Sequence, residues 1–593
     1  MTINARISAL RKAMLKKGID AYIIPSTDPH QSEYVADHWQ ARKWISGFDG
    51  SAGTVIITKD HAGLWTDSRY FLQAEEQLKG SEMELHKLLI PHTPEHLLWL
   101  EENLSAGQTI GLDGWLRSAK QIDSLSEKFE PKKISLDPEV DLIQETWLDR
   151  PGMPNTLAFL LETRYSGKAQ DQKINILREK MQAANCQWII CSTLDDIAWI
   201  LNIRGRDISH SPVNISYLFI GEKEAHLFID ASKTAEIRDQ LASSGVNLHA
   251  YEEAKGFLGS CSGEQTYWCD PASLAYPLYN AIPGKKHESP LPSQLLKACK
   301  NETEVKGIRN AMVYDGIALT RLFMWLEQVL KEREVPETEV ALKLAGLRAE
   351  HPGYVEESFD AIVGYRGNGA IVHYRPEEGS CANIKAEGVL LLDSGGQYHE
   401  GTTDITRTVC LGESTQEQRE NFTRVLQGHI AIDCLVFPKG TCGSQMDVLA
   451  RQPLWKAGLN YGHGTGHGVG HFLNVHEGPQ GIGSGASGRS SQEFLPGMFT
   501  SNEPGFYKTG EYGIRIENLI LCVEGPETDF GQFYQFENLT LFPIDQKLIH
   551  FPMLRREEVI WLDNYHKKVF EQLSPHLSEK EVEWLKVQCK SLS

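Results

Sequence analysis

Apolar residues recur at helical or strand spacing from the start of the chain. The first segment, NARISALRKAML, has apolar positions three or four residues apart, which predicts an amphipathic helix. The run AYIIPS follows and ends in Pro25, which is typical of a short strand. TVIIT and AGLWTD predict a hairpin around Lys59, with a helix beginning near Ser68. Residues 1–150 therefore read as an α/β unit.

Residues 156–300 repeat this plan at the level of element order. A helix, INILREKMQAANC, precedes the strand-like CQWIICS. The hairpin SYLFIG–EKE–AHLFID matches GTVIIT–KDH–AGLWTD in the first unit. The segment WLDRPGMPNT, at 147–156, carries two prolines and a glycine, which favours a linker between the units.

A third unit begins near residue 301 with a long amphipathic helix, for which Thr303 is the expected N-cap. A second helix is expected after Pro336, capped by Thr338. From about 358 to 525, strand-like runs alternate with glycine turns. Helices and strands are thus mixed throughout, and the fold class predicted is α/β (α+β).

The charge and the cysteines exclude several classes of protein. The net charge is −20, from 59 basic and 79 acidic side chains, which argues against nucleic acid or an anionic membrane as the main partner. No run approaches ~18 uninterrupted apolar residues, and charges interrupt the N-terminal helix, so neither a membrane span nor a signal peptide is expected. Eleven scattered cysteines indicate a reducing, cytoplasmic location.

Two pairs of carboxylates lie in strand-like segments. Asp393 ends the run VLLL, and Asp404 follows 11 residues later, so an antiparallel turn brings both carboxylates to one face. Glu503, in SNEPGFY, and Glu517, in GIRIENLIL, repeat the arrangement with a spacing of 14. Like charges so placed repel, and an acid among apolar strand residues is rarely buried without a partner or a metal. The pattern predicts a bound cation.

A glycine-rich stretch between these pairs, NYGHGTGHGVGHFLNVHEGP, carries four histidines, which are His463, His467, His471 and His476. Neutral imidazole is the commonest metal ligand, and glycine lets backbone approach an ion closely. Carboxylates and imidazole without thiolate favour Mn, Co or Zn. Two such ions ~3.5–4 Å apart would lower the pKa of a bridging water towards ~7. GxSxG, GxxxxGK[ST] and HExxH signatures are absent from the sequence.

In combination, IVHY, LLLDSG, TTDITRT, HGTGHGVG, NVHEGP, SNEPGFY and GIRIENL resemble the Xaa-Pro aminopeptidases (aminopeptidase P) of the pita-bread metallopeptidase family M24. HQSEYVADHWQARKWISGFDGSAGTVIIT and WTDSRYFLQA are similar to its long, three-domain form. The resemblance covers nearly the whole chain. It implies creatinase-like domains at 1–150 and 156–300, a pita-bread catalytic domain at 301–525, and a C-terminal extension at 526–593 packed on it.

The resemblance also implies an activity and a site. The expected reaction removes the N-terminal residue from peptides with proline second, through a hydroxide that bridges two divalent ions, with Mn²⁺ expected. Proline-containing peptides are the implied partners, and a homodimer is the implied assembly. The metal ligands carried over are Asp393, Asp404, His467, Glu503 and Glu517. Asp404 and Glu517 would bridge both ions, Asp393 would serve one, and His467 with Glu503 the other.

Other site residues follow from the same resemblance. Glu503 is the implied general base, and Arg515 matches a supporting arginine near the metals. His373, His463 and His476 match substrate-binding and transition-state histidines.

Alternatives stay open at this point. A prolidase, which cuts only dipeptides, shares the ligands; a creatinase shares the fold without metal; a non-catalytic pita-bread peptide-binding module is a third reading. His471 competes with His467 as a ligand on spacing alone, although His467 has the matching sequence context. The polar loop RGRDISHSP motivates one further hypothesis, that Arg204 reaches the active site of a neighbouring subunit.

Overall fold

The computed structural model describes residues 1–90, 93–485 and 488–592. The chain divides into two compact units: residues 1–163 with 168–294, and residues 164–167 with those from 295 onwards. Across the described ranges, no helix has the length and apolar character needed to cross a lipid bilayer.

The first unit contains two six-stranded mixed sheets of identical topology. In spatial order, the strands of the first sheet are Glu84–Lys87, Ala62–Thr66, Thr54–Thr58, Ala21–Ile24, Thr109–Gly111 and Ser135–Asp137. Those of the second are Val246–His249, Ala225–Ile229, Ser216–Gly221, Trp188–Cys191, Thr266–Cys269 and Lys285–Glu288. In each sheet the first pair is parallel, the next two pairs are antiparallel, and the last two are parallel. The repeat predicted from the two hairpins is therefore confirmed.

Amphipathic helices cover these sheets. The helices of the first repeat are Ile3–Lys17, Ala41–Ser46, Phe71–Gln77, Glu95–Asn103, Ala119–Phe129 and Leu142–Thr146. Those of the second are Gln170–Ala183, Leu194–Leu201, Arg238–Ser243, Ala254–Ser260 and Tyr276–Ala281. The N-terminal helix buries the positions that its spacing predicts, namely Ile7, Leu10 and Met14. The helix expected near Ser68 begins at Phe71, because Asp67 first accepts hydrogen bonds from Arg69 in a turn.

The second unit is built on two small antiparallel sheets. One has the order Ile362–Tyr365, Val389–Ser394, Ile405–Cys410, and the other has the order Val436–Pro438, Gly531–Asn538, Asn518–Thr528, Phe499–Asn502. Shorter antiparallel pairings join Gly505–Lys508 to Tyr512–Arg515, Gly466–His467 to Gly481–Ile482, and Gly396–Tyr398 to both Tyr354–Glu357 and Gly401–Thr402. Apolar side chains such as Val425, Phe499, Ile516, Leu521 and Leu562 are buried together and hold these segments in place.

The principal helices of the second unit are Glu302–Val329, Glu337–Arg348, Gln416–Asp433, Gly443–Trp455, Arg556–Leu573 and Glu579–Gln588. Two predicted caps are wrong. The first helix is capped by Asn301, whose side chain accepts from the backbone of Thr303 and Glu304, while Glu304 closes a capping box. The second helix starts after Pro336 without a side-chain cap, so Thr338 lies within its first turn.

Candidate active site

The four predicted carboxylates lie at the ends of paired strands in the second unit. Asp393 pairs with Thr406 in the antiparallel ladder, which places Asp404 two positions further along, on the same face. The predicted antiparallel pairing and shared face are thus observed, but the two aspartates are diagonal neighbours instead of lying directly opposite. The connection between the strands forms a small hairpin of its own, which sets this register.

Glu503 and Glu517 face one another. Asn502 pairs with Asn518 at the end of the four-stranded sheet, so the next residue on each chain segment is one of the two glutamates. The backbone N–H of Glu517 donates to the carbonyl oxygen of Thr406 at 3.1 Å, which ties this pair to the strand that follows Asp404. The second acidic pair is therefore held beside the first.

His467 enters the cluster from the glycine-rich stretch. A Cβ at Gly466 would lie 2.0 Å from the carbonyl oxygen of Ser501, so only glycine allows this close approach of two backbones. The N–H of His467 donates to Oγ of Ser501 at 3.0 Å. Nε2 of His467 then lies 3.5 Å from Oδ2 of Asp404 and 3.5 Å from Oε1 of Glu503.

Burial and mutual repulsion perturb these carboxyls strongly. Burial raises the pKa of Asp404 well above its usual value, and the charges of Glu517, Asp393 and Glu503 raise it further. Burial and the charges of Asp393 and Glu503 likewise raise the pKa of Glu517. Burial raises the pKa of Glu503 to about 7, although the positive charge of Arg515 opposes the shift. Four acids collected in a buried space are costly unless a cation joins them.

Arg515 is a cationic residue in direct contact with this cluster. Its Nη2 donates to Oδ2 of Asp393 at 2.5 Å, and its Nε donates to Oγ1 of Thr406 at 3.1 Å. The hydroxyl of Thr406 in turn donates to Oε2 of Glu517 at 2.8 Å. Arg515 thus orients carboxylates from both acidic pairs.

Tyr507 is a site residue that sequence reasoning missed. Its hydroxyl accepts from Nη1 of Arg515 at 2.7 Å and lies 2.8 Å from Nε2 of His463. It stands four positions after Glu503, on the strand of a hairpin that ends in Arg515. In that hairpin Tyr507 pairs with Gly513, two residues before Arg515, so Tyr507 and Arg515 share a face, and this alternation is the signal that could have identified Tyr507.

The other predicted histidines lie next to residues that contact the cluster or belong to it. The ring of His476 meets that of His467 edge-on at a centroid distance of 4.2 Å. His463 connects to Arg515 through Tyr507. His373 follows Val372, whose carbonyl oxygen lies 3.4 Å from Nη2 of Arg515.

The structure shows where His471 and Arg204 lie, two residues whose roles the sequence does not decide. His471 is buried, with 2% of its surface exposed. The group of described residues whose potential ligand atoms lie close together contains His467, with Asp404 and Glu517, and does not contain His471. Arg204 is buried as well, and its Nη1 donates to the carbonyl oxygens of Ala198 and Ile203. These contacts fix part of the guanidinium within the chain, and the hypothesis that Arg204 reaches a neighbouring subunit stays a prediction.

The residues present fit a metal centre. One ligand atom each from Asp404, His467 and Glu517 lie within 4.8 Å of one another. Oδ1 of Asp393 is buried and has no hydrogen-bond donor among the residues that the structure describes. A hard divalent cation would supply the positive partner that such a buried carboxylate oxygen lacks. The set of oxygen and imidazole ligands suits Mn²⁺, Co²⁺ or Zn²⁺.

Comparison with known families accounts for almost the whole chain. Residues 306–524 match the model of metallopeptidase family M24, and residues 532–592 match the C-terminal region of peptidase M24. Residues 6–143 and 149–304 each match a model of the creatinase/prolidase N-terminal domain.

Individual relatives are similar over most of their length. Xaa-Pro aminopeptidase 1 of Dictyostelium discoideum is 39% identical over 613 residues, which cover 100% of this chain and 97% of the relative. Aminopeptidase P2 of Arabidopsis thaliana is 41% identical over 621 residues, which cover 97% of this chain and 87% of the relative.

A solved structure is similar across the entire fold. The crystal structure of X-prolyl aminopeptidase from Caenorhabditis elegans, described as a cytosolic enzyme with a di-nuclear active site, has a TM-score of 0.94 and 36% identity over 100% of both chains. With two creatinase-like N-terminal domains and a pita-bread catalytic domain, the chain belongs to the Xaa-Pro aminopeptidases of metallopeptidase family M24.

Proposed function

We propose that this chain removes the N-terminal residue from peptides whose second residue is proline. The observation that carries the proposal is the convergence of Asp393, Asp404, His467, Glu503 and Glu517, which are the five residues expected to hold two divalent ions. The di-nuclear site described for the nematode relative supports two ions here. We further propose Mn²⁺ as the metal, since oxygen donors dominate the set.

Bound divalent ions in such a cluster supply a water of lowered pKa and polarise a carbonyl oxygen. Glu503 is suited to accept and return a proton at Oε1, because that oxygen faces the ligand cluster, 3.5 Å from Nε2 of His467. Oγ of Ser501 lies 3.3 Å from the same oxygen and orients it. We assign Glu503 the role of general base on this ground.

The histidines would act on the substrate, and Arg515 would act on a metal ligand. His463 is held by the hydroxyl of Tyr507, and His476 is held against the ring of His467. We propose that these two imidazoles, with His373, bind the peptide and donate to the oxyanion that develops at the scissile carbonyl. Arg515 would maintain Asp393 in its ligating orientation.

The first test compares Arg-Pro-Pro and Ala-Pro as substrates of metal-stripped protein, with and without added Mn²⁺. Release of the first residue from the tripeptide should require the metal, and the dipeptide should be slow. Cleavage of the dipeptide alone would identify a prolidase instead. Binding of metal without cleavage of either peptide would favour the non-catalytic reading.

Two further properties belong to the same proposal. A location in the cytoplasm is proposed from the cytosolic description of the nematode relative. A homodimer stays a prediction from the family resemblance, and light scattering of the purified protein would test it.

A further inference from the structure

Two imidazoles meet at the edge of the first sheet, within the first unit. His61 precedes the strand Ala62–Thr66, and His86 lies in the neighbouring edge strand Glu84–Lys87. The two Nε2 atoms are 3.0 Å apart. One nitrogen of each ring and one carboxylate oxygen of Glu84 lie within 4.8 Å of one another.

Aromatic side chains hold both imidazoles in place. The ring of His86 stacks on Trp65 at 4.1 Å, with an interplanar angle of 12°, and the ring of His61 lies 4.6 Å from that of Trp99. A Cβ at Gly63 would lie 2.6 Å from Nε2 of His61. The glycine therefore leaves the space that the His61 ring occupies.

We propose that His61, Glu84 and His86 form a second metal site, which binds a borderline divalent ion such as Zn²⁺. Zn–N bonds of ~2.0–2.1 Å place two tetrahedral ligand nitrogens about 3.3 Å apart, so the observed 3.0 Å requires only a small adjustment. The side chain of Glu84 is 70% exposed and can rotate to supply the third ligand. Two imidazoles and one carboxylate leave a fourth position for water.

The electrostatic setting favours the cation. Burial lowers the pKa of both His61 and His86, so the rings present neutral imidazole, the form that binds metal. Without an ion, two neutral rings at this distance share a single hydrogen bond. The strongly acidic chain, with a net charge of −20, also attracts cations from solution.

The second sheet provides a natural control at the equivalent place. His249 occupies the position of His86 in the repeat, and His226 occupies that of Gly63. Nδ1 of His226 and Nε2 of His249 are 2.9 Å apart. Carboxylates lie near the outer nitrogens of both pairs: Glu224 is 3.5 Å from Nε2 of His226, Glu253 is 3.9 Å from Nδ1 of His249, and Glu84 is 4.0 Å from Nδ1 of His61. Among the described residues, however, the second pair and its carboxylates do not bring three potential ligand atoms within 4.8 Å of one another, whereas His61, Glu84 and His86 do.

The test is zinc uptake by the full-length, chelator-treated protein in equilibrium dialysis, with metal content read by atomic emission. The wild-type chain should bind one more Zn²⁺ than His86→Ala at micromolar free zinc. Glu84→Gln should weaken that site by about tenfold or more, and His249→Ala should bind as many ions as the wild type.

Fluorescence supplies a second readout at the same residues. Cu²⁺, which binds imidazole sites more tightly than Zn²⁺, should quench the part of the tryptophan emission that comes from Trp65 in the wild type, so the total emission should fall further in the wild type than in Glu84→Gln at low metal concentration. Glu84 is exposed, so this variant separates metal binding from folding. Equal zinc content in the wild type, His86→Ala and Glu84→Gln would overturn the proposal. Uptake at millimolar zinc alone, an adventitious ion only, would overturn it equally.

Discussion

Arg515 donates to Asp393 across 2.5 Å, and both side chains are buried. The same guanidinium reaches the hydroxyls of Tyr507 and Thr406. One planar group with several donors therefore fixes an acid that is expected to bind metal and a tyrosine that contacts His463.

Arg515→Lys tests this arrangement. An ammonium keeps the charge but cannot serve three acceptors in fixed directions. We expect kcat/KM to fall by about 10- to 100-fold, with weaker metal retention in dialysis. Arg309→Lys is the control, because Arg309 is half-exposed and pairs with Glu537 on the surface of the same unit. Unchanged kinetics in Arg515→Lys would mean that Asp393 is oriented by other contacts.

Substitution of a carboxylate in the ligand cluster should strongly reduce hydrolysis and metal binding, whereas substitution of a carboxylate elsewhere should not. Asp404→Asn removes a charge from the group formed with His467 and Glu517, so hydrolysis of Arg-Pro-Pro should fall by at least about 100-fold, together with metal content. Asp433→Asn is the control, since Asp433 is a partly buried aspartate of the same unit that accepts hydrogen bonds from Trp561 and Asn538. If both variants lose activity equally, the effect of Asp404→Asn is one of folding.

Metal-free protein should lose stability as the pH rises. Burial raises the pKa of Glu503 from 4.5 to about 7, so the folded state binds this proton more tightly than the unfolded state. The resulting stabilisation is present below pH 4.5 and is lost as the pH rises through about 7. Asp404 and Glu517, whose pKa values are also raised, act in the same direction.

Urea denaturation of metal-free protein between about pH 5 and 8 measures this effect. Glu503 alone contributes at most about 3 kcal/mol to the decline in the free energy of unfolding. Glu503→Gln should flatten the decline, and a saturating divalent ion should reverse it. Glu417→Gln, which alters a surface partner of Lys508, should leave the slope as it is in the wild type. A decline that persists unchanged in Glu503→Gln would contradict the assignment.

Much of this arrangement could be predicted because it depends on alternation along strands. Acidic residues that end or interrupt apolar runs, such as Asp393 and Glu517, indicate from the sequence alone that a charged group is buried. The repeat in the first unit was visible for the same reason, since its two hairpins share one pattern. The register of the strands was harder to predict from the sequence, because the hairpin inserted between Asp393 and Asp404 shifts the two aspartates to diagonal positions.

What sequence reasoning missed are neutral groups that act through geometry. Tyr507 and Thr406 carry no charge, and the sequence does not show which partner the hydroxyl of a strand residue will contact. Arg204 shows how little a polar loop says about side-chain direction, because its guanidinium is buried and donates to nearby backbone carbonyl oxygens. Side-chain direction in such loops depends on tertiary contacts that periodicity does not encode.

Glu337 offers a final prediction, about the segment that carries His373. Its buried carboxylate accepts from the backbone N–H groups of Tyr365 and Ala382, at 2.7 and 2.8 Å, and from the hydroxyl of Tyr374 at 2.8 Å. Asn368 donates to it as well. One side chain thus fastens the segment on both sides of His373.

In Glu337→Gln, an NH₂ group replaces one of the two carboxylate oxygens. The groups around this side chain are hydrogen-bond donors, so at least one buried donor loses its acceptor. We expect the free energy of unfolding to fall by about 1–3 kcal/mol and kcat for Arg-Pro-Pro to fall by about tenfold, with metal content unchanged. Glu339→Gln, on the exposed face of the same helix, should alter neither quantity appreciably. A loss of stability with wild-type kcat would show that the segment keeps His373 in position without Glu337, whereas a loss of metal would place the effect at the carboxylate cluster.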